Sequence, residues 1–443
     1  MIKKSVLLFC VLITIAYSSI AQSLNKPKLD SLMAVIESNN KAMGSLAIAV
    51  NGAIVYDRAI GYLSVNGNDK MTADIHTKYR IGSISKMFTA VMIFQLVEEG
   101  KLSLDAPLST WYPELPNAAK ITIGDMLDHR SGLHNFTNDP AYGQYMTQPR
   151  TEAEMVAVFA KQQPDFEPGT KAQYSNTNFV LLGYIIEKIT GKSYPEELKE
   201  RIVSKLKLKD TYYGGKTSVK NNEAYSYSFA GSWSQMPETD MSIPGGAGAI
   251  LSTPSDLTRF IDALFAGKLI SMDHLNLMKT QRDNYGMAMF EMNFDAKKGY
   301  GHNGGIDGFT SVLTYFPDEK LAFAYCSNGG SYNVRQVNDV ALSIYFNKPF
   351  ALPDFKTIAL KSEDLDKYLG VYSSTQIALK ITITKDKATL IAQGSGQPQF
   401  PLAPTAPDKF SADAVGASLE FDPTKNQFIL IQGGAQILFT RDK

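Results

Sequence analysis

The spacing of apolar residues in the first hundred positions predicts a helix followed by an antiparallel sheet. Residues 29–38 place apolar side chains at helical spacing. The period then changes to two in residues 45–50 and 54–60, which flank Asn51-Gly52. That dipeptide favours a two-residue hairpin turn, because both central residues must take a positive φ. A long apolar stretch over residues 84–99 predicts a helix that ends at Gly100.

The middle of the chain predicts an inserted helical region and then a return to the sheet. Residues 107–240 mix short helical segments with loops, and their strongest helix covers residues 179–190. After Gly245, a helix is predicted at residues 255–265, strands at 311–316 and 321–327, and a closing helix at 334–346. This order predicts an α/β (α+β) fold, in which an antiparallel sheet is flanked by helices and carries an inserted all-helical region.

The last eighty residues have a different pattern and predict a separate small all-β domain. Pro349, Pro353 and a loss of periodicity mark a linker over residues 348–362. Residues 379–384 then alternate strictly, and short strands are predicted at 388–392, 419–421 and 428–431. The pattern fits either a sandwich or a barrel. We therefore divide the chain into a main domain over residues 22–347 and an all-β domain over residues 363–443.

Composition places the chain among ordinary globular proteins. Hydrophobic residues make up 44% and charged residues 20% of the sequence, so neither general disorder nor a multi-span membrane protein fits. Basic and acidic residues both number 44, and this balance gives no net field that would attract nucleic acid. We therefore expect no nucleic-acid partner, and function has to come from local groups of residues.

The N-terminus has the pattern of a secretory signal peptide over residues 1–21. Lys3 and Lys4 precede an apolar run over residues 5–16, and Ser19 and Ala21 supply small residues before a cut at Gln22. A membrane anchor is the alternative, but the apolar run is shorter than the roughly 20 residues that span a bilayer. We expect secretion across the inner membrane, a periplasmic or extracellular location, and no stable membrane span after cleavage.

The first chemical signal is Ser83-Ile84-Ser85-Lys86 at the start of the predicted helix. Residues three apart share a helix face, so the Lys86 amine can reach the Ser83 hydroxyl and take its proton. The same spacing also occurs at Ser23, Ser38 and Ser204, and at most one of the four is catalytic. Ser83 is favoured because it alone follows a glycine and precedes an apolar helix.

The second signal is Tyr174-Ser175-Asn176, just before the helix predicted at residues 179–190. A phenol beside the nucleophile can give its proton to the leaving group, and an amide can both donate to and accept from a substrate. The alternative is that Ser175 or Asn176 simply caps the helix. The spacing recurs at Tyr345, so it decides nothing alone.

The third signal is His302-Asn303-Gly304-Gly305 at the edge of a predicted strand. Glycines there allow a substrate backbone to approach closely, and the N–H of Gly305 can join that of Ser83 as an oxyanion hole. A competing candidate is the run from Lys216 to Ser218, but it lies in a charged loop with no strand after it.

Taken in order, the three signals resemble the serine β-lactamase and penicillin-binding (DD-peptidase) superfamily. The Tyr-x-Asn element is similar to the class C β-lactamase-like branch, which includes D-Ala-D-Ala carboxypeptidases, D-aminopeptidases and esterases. Residues 126–133, 166–169 and 245–257 also look like that branch, and the resemblance covers about residues 27–347. The all-β domain resembles small lipocalin-like additions to such hydrolases.

This resemblance implies an acyl-enzyme mechanism with no metal and no cofactor. By position, Ser83 is the nucleophile, Lys86 and Tyr174 share general acid and base duty, and Asn176 holds the substrate. His302 stands where many relatives have Lys, and Asn303 replaces the usual Thr. Because His is only partly charged near neutral pH, His302 is a poorer carboxylate anchor than Lys. The remaining histidines, including His129, have no spacing that suggests a metal site, and His129 is expected to be a structural loop residue.

Three functions stay open at this point. The first is a D-alanyl-D-alanine carboxypeptidase-like or β-lactamase-like hydrolase, and the second is an esterase on the same scaffold. The third, a non-catalytic binding protein, is disfavoured because Ser83, Lys86 and Tyr174 are all intact. The expected partners are small-molecule or peptide substrates, cell-wall peptides among them.

Overall fold

The computed structural model describes residues 24–229, 232–432 and 435–442. The predicted signal peptide lies outside this part of the chain.

An antiparallel sheet forms the centre of the first domain, with the strand order β10-β11-β12-β13-β1-β2, and β7 and β8 extend it beside β13. Two smaller groups, β3-β4 and β5-β9-β6, flank it. The strands of this domain are β1 Ala42–Val50, β2 Ala53–Ile60, β3 Tyr62–Asn66, β4 Asp69–Thr72, β5 Tyr79–Arg80, β6 Tyr212–Tyr213, β7 Tyr227–Phe229, β8 Trp233–Gln235, β9 Ile250–Ser252, β10 Phe290–Glu291, β11 Tyr300–Ile306, β12 Phe309–Phe316 and β13 Leu321–Gly330.

The predicted hairpin is present between β1 and β2. Val50 pairs with Ala53 across the turn, and the two turn residues, Asn51 and Gly52, have φ values of 51° and 76°. Both values lie in the left-handed region that Asn and Gly tolerate best. The prediction of a two-residue turn at this dipeptide is therefore confirmed.

Helices cover both faces of the central sheet. On one face, α1 and α12 pack over β1 and β13 around a core that includes Leu29, Ile48 and Leu342. On the other face, a larger core joins α2, α6 and α10. The helices are α1 Lys26–Ser38, α2 Ser85–Glu98, α3 Ile123–Leu127, α4 Tyr142–Tyr145, α5 Glu152–Ala160, α6 Asn176–Thr190, α7 Tyr194–Leu198, α8 Ser204–Leu206, α9 Gly245–Gly248, α10 Pro254–Phe265, α11 Met272–Lys279 and α12 Val334–Tyr345.

The inserted region forms a helical layer beside the sheet. It contains α3 to α8, and α6 packs on the short glycine-rich helix α9. A Cβ on Gly246 of α9 would lie 2.6 Å from the carbonyl oxygen of Phe179 in α6, so only glycine allows this contact. The α/β (α+β) fold with an antiparallel sheet, flanking helices and an inserted helical region is confirmed. The close packing of α9 also brings its backbone to the region between sheet and insertion.

The C-terminal part is a closed eight-stranded barrel, which selects one of the two architectures left open by the sequence. The first strand pairs with the last, through Tyr372 with Arg441 and Ser373 with Thr440. Closure removes the exposed edges that an open sheet would present. The strands are β14 Gly370–Ser373, β15 Lys380–Asp386, β16 Thr389–Gly394, β17 Gln399–Ala406, β18 Lys409–Ala412, β19 Ala417–Asp422, β20 Gln427–Gln432 and β21 Ala435–Arg441.

Residues 348–361, between α12 and the barrel, contain no helix or strand. Part of this segment is held by the first domain, where the ring of Phe355 packs edge-on against Tyr332 at 5.1 Å. The barrel itself contacts the first domain through Asp413, whose carboxylate lies 2.7 Å from Lys41 Nζ. The backbone oxygen of Asp413 also accepts the N–H of Asn333 at 3.0 Å. These contacts between the domains are mainly polar.

Candidate active site

Ser83 lies in a tight turn between the sheet and the inserted helical region. The 3₁₀ turn Gly82–Ile84 comes directly before α2. Gly82 has a φ of 51°, and a Cβ on it would lie 2.8 Å from the backbone nitrogen of Gly305 on β11. Glycine is therefore needed at position 82 for both its conformation and the close approach. This approach brings Ser83 to the edge of β11.

Lys86 lies in the first turn of α2 and is completely buried. The helix is apolar on nearly every side, as expected for a helix in the interior of a domain. Lys86 Nζ is 2.9 Å from Ser83 Oγ, 2.8 Å from Asn176 Oδ1 and 2.8 Å from the carbonyl oxygen of Ala247 in α9. The ring centre of Tyr174 lies 5.0 Å from the same nitrogen. Residues far apart in sequence thus surround one amine.

The environment of Lys86 favours its neutral form. Burial lowers the pKa of Lys86 well below its ordinary value, because the ammonium loses its hydration. An ammonium donates three hydrogen bonds, whereas a neutral amine has two N–H groups and one lone pair. The two N–H groups satisfy Asn176 and Ala247, and the lone pair is then left for the hydroxyl of Ser83. The geometry suits transfer of the Ser83 proton to Lys86.

Tyr174 also contacts the hydroxyl of Ser83, and there it is a hydrogen-bond donor and not a base. It lies in the loop before α6, and its phenol donates to Ser83 Oγ at 2.7 Å. Burial raises the pKa of Tyr174 above its ordinary value, so the phenol keeps its proton at neutral pH. One neighbour of Ser83 is therefore a potential base and the other a potential acid.

Asn176 is the first residue of α6, and its side chain is fully engaged within the site. Its Oδ1 accepts from Lys86, and its Nδ2 donates to Asn135 Oδ1 and Thr137 Oγ1, each at 3.2 Å. Asn135 Oδ1 also accepts the backbone N–H of Asn176 at 3.0 Å. Asn135 and Thr137 were not found from the sequence, because they belong to no motif and reach Asn176 only through the fold.

His302 lies behind Tyr174 and is buried, so it does not present a charge to the cleft. The two ring centres are 6.3 Å apart. Its Nδ1–H donates to the carbonyl oxygen of Asn303 at 2.5 Å. Burial, reinforced by the nearby Lys86, lowers the pKa of His302 to about 3. The imidazole is therefore neutral at physiological pH, which removes even the partial charge expected from the sequence.

Alternation along β11 places the side chain of Asn303 on the face of the strand opposite the buried ring of His302. Asn303 is exposed and lines a different cavity, which lies between β11, β12 and α12. Gly304 borders that cavity too, and a Cβ on it would lie 1.9 Å from the carbonyl oxygen of Ile81. Gly305, in contrast, lines the same cavity as Ser83. The structure thus brings Ser83, Lys86, Tyr174, Asn176 and Gly305 together, and it places the Asn303 side chain elsewhere.

A cavity of about 420 Å³ opens beside Ser83. Its walls are mainly apolar, and Asp307 supplies its only charged side chain among the described residues. Asp307 is already paired, because its carboxylate lies 3.0 Å from the guanidinium of Arg80. The lining residues are Gly82, Ser83, Phe136, Thr137, Tyr142, Met146, Asn176, Met236, Pro237, Thr239, Pro244, Ala247, Gly248, Gly305, Ile306 and Asp307.

Arg80 fixes one wall of this cavity from behind. Its guanidinium is 1% exposed and lies 2.8 Å from the carbonyl oxygen of Thr239, 2.9 Å from Glu238 Oε2 and 3.1 Å from the carbonyl oxygen of Gly215. Asp307 in turn accepts the N–H of Thr239 at 3.0 Å and its hydroxyl at 2.6 Å. The competing run at residues 216–218 belongs to this network, since Thr217 N–H donates to Glu238 at 3.0 Å.

The other Ser-x-x-Lys matches do not form such a site. Ser38 and Ser204 are exposed, and Ser23 lies outside the described residues. Across residues 24–229, 232–432 and 435–442, no group of three or more His, Cys, Asp or Glu side chains is placed to hold a metal ion. Among the helices of that same part of the chain, none is long and apolar enough to cross a membrane.

The fold and the arrangement around Ser83 define the chain as a serine hydrolase. It belongs to the Beta-lactamase family, whose model matches residues 33–344. The resemblance seen in the sequence is therefore confirmed, and so is the expectation of an enzyme.

Two curated relatives and one solved structure show how far the likeness extends. The chain is 26% identical to Penicillin-binding protein 4* of Bacillus subtilis (strain 168), over 95% of this chain and 99% of that protein. It is 27% identical to the teichoic acid D-alanine hydrolase of Staphylococcus aureus (strain MRSA252), over 70% of this chain and 75% of that protein. The structure of the D-amino acid amidase from Ochrobactrum anthropi SV3 with L-phenylalanine superposes with a TM-score of 0.63 at 29% identity, over 72% of this chain and 99% of the amidase.

Proposed function

We propose that the protein hydrolyses D-aminoacyl esters or amides through an acyl-enzyme on Ser83. The observation that carries the proposal is the position of Ser83 Oγ, which is 2.9 Å from a lysine of lowered pKa and 2.7 Å from a tyrosine of raised pKa. Environments that push two pKa values apart in this way mark a base and an acid.

In acylation, Lys86 takes the proton of Ser83 while Oγ bonds to the carbonyl carbon of the substrate. The resulting oxyanion accepts hydrogen bonds from the backbone N–H groups of Ser83 and Gly305. The bond to the leaving group then breaks, and Tyr174 gives that group its proton. The Lys86 ammonium returns a proton to Tyr174. Water next attacks the acyl-enzyme, and Ser83 Oγ leaves with a proton as the free acid departs.

The charges around the cavity support this choice of substrate class. A carboxypeptidase or β-lactamase substrate carries a carboxylate on the leaving side, which favours a cation in the site. Here His302 is neutral, Lys86 is buried, and Asn303 lies on the other face of β11. An ester or amide without that carboxylate fits better. Two relatives are named for D-amino acid substrates, since one is a teichoic acid D-alanine hydrolase and the other a D-amino acid amidase.

A D-alanyl-D-alanine carboxypeptidase is the second candidate function. It is supported by the match to Penicillin-binding protein 4* along nearly the whole chain. Both candidates use the same acyl-enzyme, and they differ in whether the leaving group is charged.

One experiment tests the mechanism and separates the candidates. Intact-mass spectrometry after exposure to a fluorophosphonate should show one adduct, located on Ser83, and none on the variant Ser83→Ala. Turnover of D-alanine methyl ester should then exceed that of a peptide ending in D-Ala-D-Ala. Labelling of Ser83→Ala would contradict the mechanism, and faster release of terminal D-alanine would favour the carboxypeptidase.

We also propose that the protein is secreted and that residues 1–21 are removed. The support is the charged, apolar and small-residue order of that segment. N-terminal sequencing of protein recovered outside the inner membrane tests this. Gln22 as the first residue supports the proposal, and Met1 contradicts it.

A further inference from the structure

His129 is a buried histidine that the mechanism above does not use. It follows α3, is 1% exposed, and has a φ of 60°, in the left-handed region that non-glycine residues seldom adopt. Its ring centre lies 4.5 Å from that of Tyr174. A residue in a rare backbone conformation directly against the candidate acid calls for an explanation.

His129 accepts hydrogen bonds from the residues that precede and follow Tyr174 in the chain. Its backbone oxygen accepts the N–H of Gln173 at 2.9 Å, and its ring Nδ1 accepts the N–H of Ser175 at 3.2 Å. The residue before Tyr174 and the residue after it are thus both held by one histidine. The ring of His129 then limits where the phenol can lie.

The acceptor role of Nδ1 fixes the state of the ring. The proton is on Nε2, and no hydrogen-bond partner for Nε2 exists within the described residues. Burial, together with the nearby Lys86 and His302, lowers the pKa of His129 well below its ordinary value. The ring stays neutral, so Nδ1 remains available to the N–H of Ser175.

We propose that His129 is a positioning residue that holds the phenol of Tyr174 against Ser83 Oγ by fixing the backbone on both sides of it. The proposal rests on the proposed function, in which Tyr174 protonates the leaving group. Its consequence depends on the leaving group. A methoxide needs that proton, whereas a nitrophenolate leaves without it. Loss of His129 therefore harms hydrolysis of a methyl ester more than that of a nitrophenyl ester.

Two substitutions of the same position separate side-chain contacts from backbone strain. Glycine in His129→Gly accepts a φ of 60° but has no acceptor and no ring. Asparagine in His129→Asn also tolerates that φ, and its Oδ1 can replace Nδ1 as the acceptor for Ser175. Both variants lose the volume of the ring, so their difference reports the hydrogen bond.

The experiment compares the methyl and p-nitrophenyl esters of N-acetyl-D-alanine in the full chain. His129→Gly should lower kcat for the methyl ester by about 10²-fold or more, the usual scale for a lost general acid. It should lower kcat for the nitrophenyl ester less than about tenfold, and Tyr174→Phe should show the same selectivity. His129→Asn should restore kcat for the methyl ester to within about tenfold of the parent.

A double-variant cycle gives the decisive measurement, because the effects of substitutions at two positions that act through each other are not additive. Adding His129→Gly to Tyr174→Phe should cost little beyond Tyr174→Phe alone. Equal losses on both esters, additive losses in the cycle, or no rescue by His129→Asn would overturn the proposal.

If His129→Gly does not fold, a changed preference between the esters in folded His129→Asn overturns the proposal, and an unchanged preference supports it. A parent protein in which fluorophosphonate leaves Ser83 unlabelled would instead reject the proposed function, and this inference with it.

Discussion

The hydrolase domain buries charged and titratable side chains at the centre of its fold, whereas the barrel, among its described residues, buries none but tyrosines. In the barrel, the core from Leu365 to Phe439 is built of apolar and aromatic side chains, and its ion pairs, such as that of Lys380 with Asp442, lie on the surface. The charged residues and histidines buried in the first domain are Arg80, Lys86, Asp128, His129, Arg130, Glu197, Glu223, Asp256 and His302.

This difference indicates which region carries chemistry. Burying a charged group costs free energy unless partners compensate, so a fold that only needs stability fills its core with apolar side chains. The barrel follows that rule. In the first domain, Lys86, His129 and His302 lie within one region around Ser83, which is the pattern expected where function is obtained at the expense of stability.

The largest effect is expected at Lys86, where function and stability should move in different directions. Lys86→Met removes the proposed base and should lower kcat/KM by about 10²–10⁴-fold. It should not lower the free energy of unfolding at neutral pH. A buried lysine of lowered pKa destabilises the native state at every pH at which the unfolded state binds the proton and the native state does not. Steady-state kinetics and urea denaturation measure the two quantities.

The pH dependence of the parent supplies the control for Lys86. Because the base must be neutral, kcat/KM should fall as the pH drops through the lowered pKa of Lys86. Lys86→Met should lose this acidic limb over the pH range in which it stays folded. An acidic limb that persists unchanged in Lys86→Met would assign the titration to another group.

The second effect concerns Arg80, the buried charge that acts as a structural support. Arg80→Met leaves Asp307 and Glu238 without their cation, and removing one partner of a buried ion pair costs about 3–5 kcal/mol. The free energy of unfolding should fall by that amount. The cavity wall at Thr239 should loosen as well, which raises KM. Urea denaturation and steady-state kinetics check both results.

A matched control for Arg80 is Arg335, which is 82% exposed and lies 3.8 Å from Asp339. Pairs of this exposed kind contribute about 0–1 kcal/mol. Arg335→Met should therefore change the free energy of unfolding by less than about 1 kcal/mol. Similar losses in Arg80→Met and Arg335→Met would show that the buried network is not what stabilises this wall.

The sequence predicted those parts of the molecule that depend on short-range patterns. The turn at Asn51-Gly52 and the approach of Lys86 to Ser83 involve residues at most three apart. The carbonyl oxygen of Ala247 and the amide of Asn176 reach Lys86 across 161 and 90 residues, respectively. No local pattern encodes such contacts, because tertiary packing decides them.

Burial was similarly hard to predict from residue type. His129 and His302 are both buried beside Tyr174, yet histidine as a residue type is only intermediate in its tendency to be buried. The signal that was present at His129 is its place in the stretch at residues 126–133, which resembled the family without indicating a role. In the barrel, alternation predicted strands, but it is the pairing of β14 with β21 that distinguishes a barrel from a sandwich.

The smallest effect is expected from removing the barrel. Every residue that lines the cavity beside Ser83 lies between Gly82 and Asp307. The barrel meets the first domain at Asp413, through Lys41 and the backbone of Asn333. A chain that ends at Lys356 keeps the packing of Phe355 on Tyr332 and loses mainly polar contacts.

Such a shortened chain should turn over D-alanine methyl ester within about twofold of the full-length rate. Its first domain should lose at most about 1 kcal/mol, the value typical of one partly exposed ion pair. The remaining residues are numerous enough to bury their own core. Melting curves and kinetics of the two chains, measured side by side, test this. Aggregation would mean that the barrel covers more apolar surface than these contacts indicate. A soluble, folded chain without turnover would contradict the prediction that catalysis does not need the barrel, because the barrel would then help to form the catalytic site.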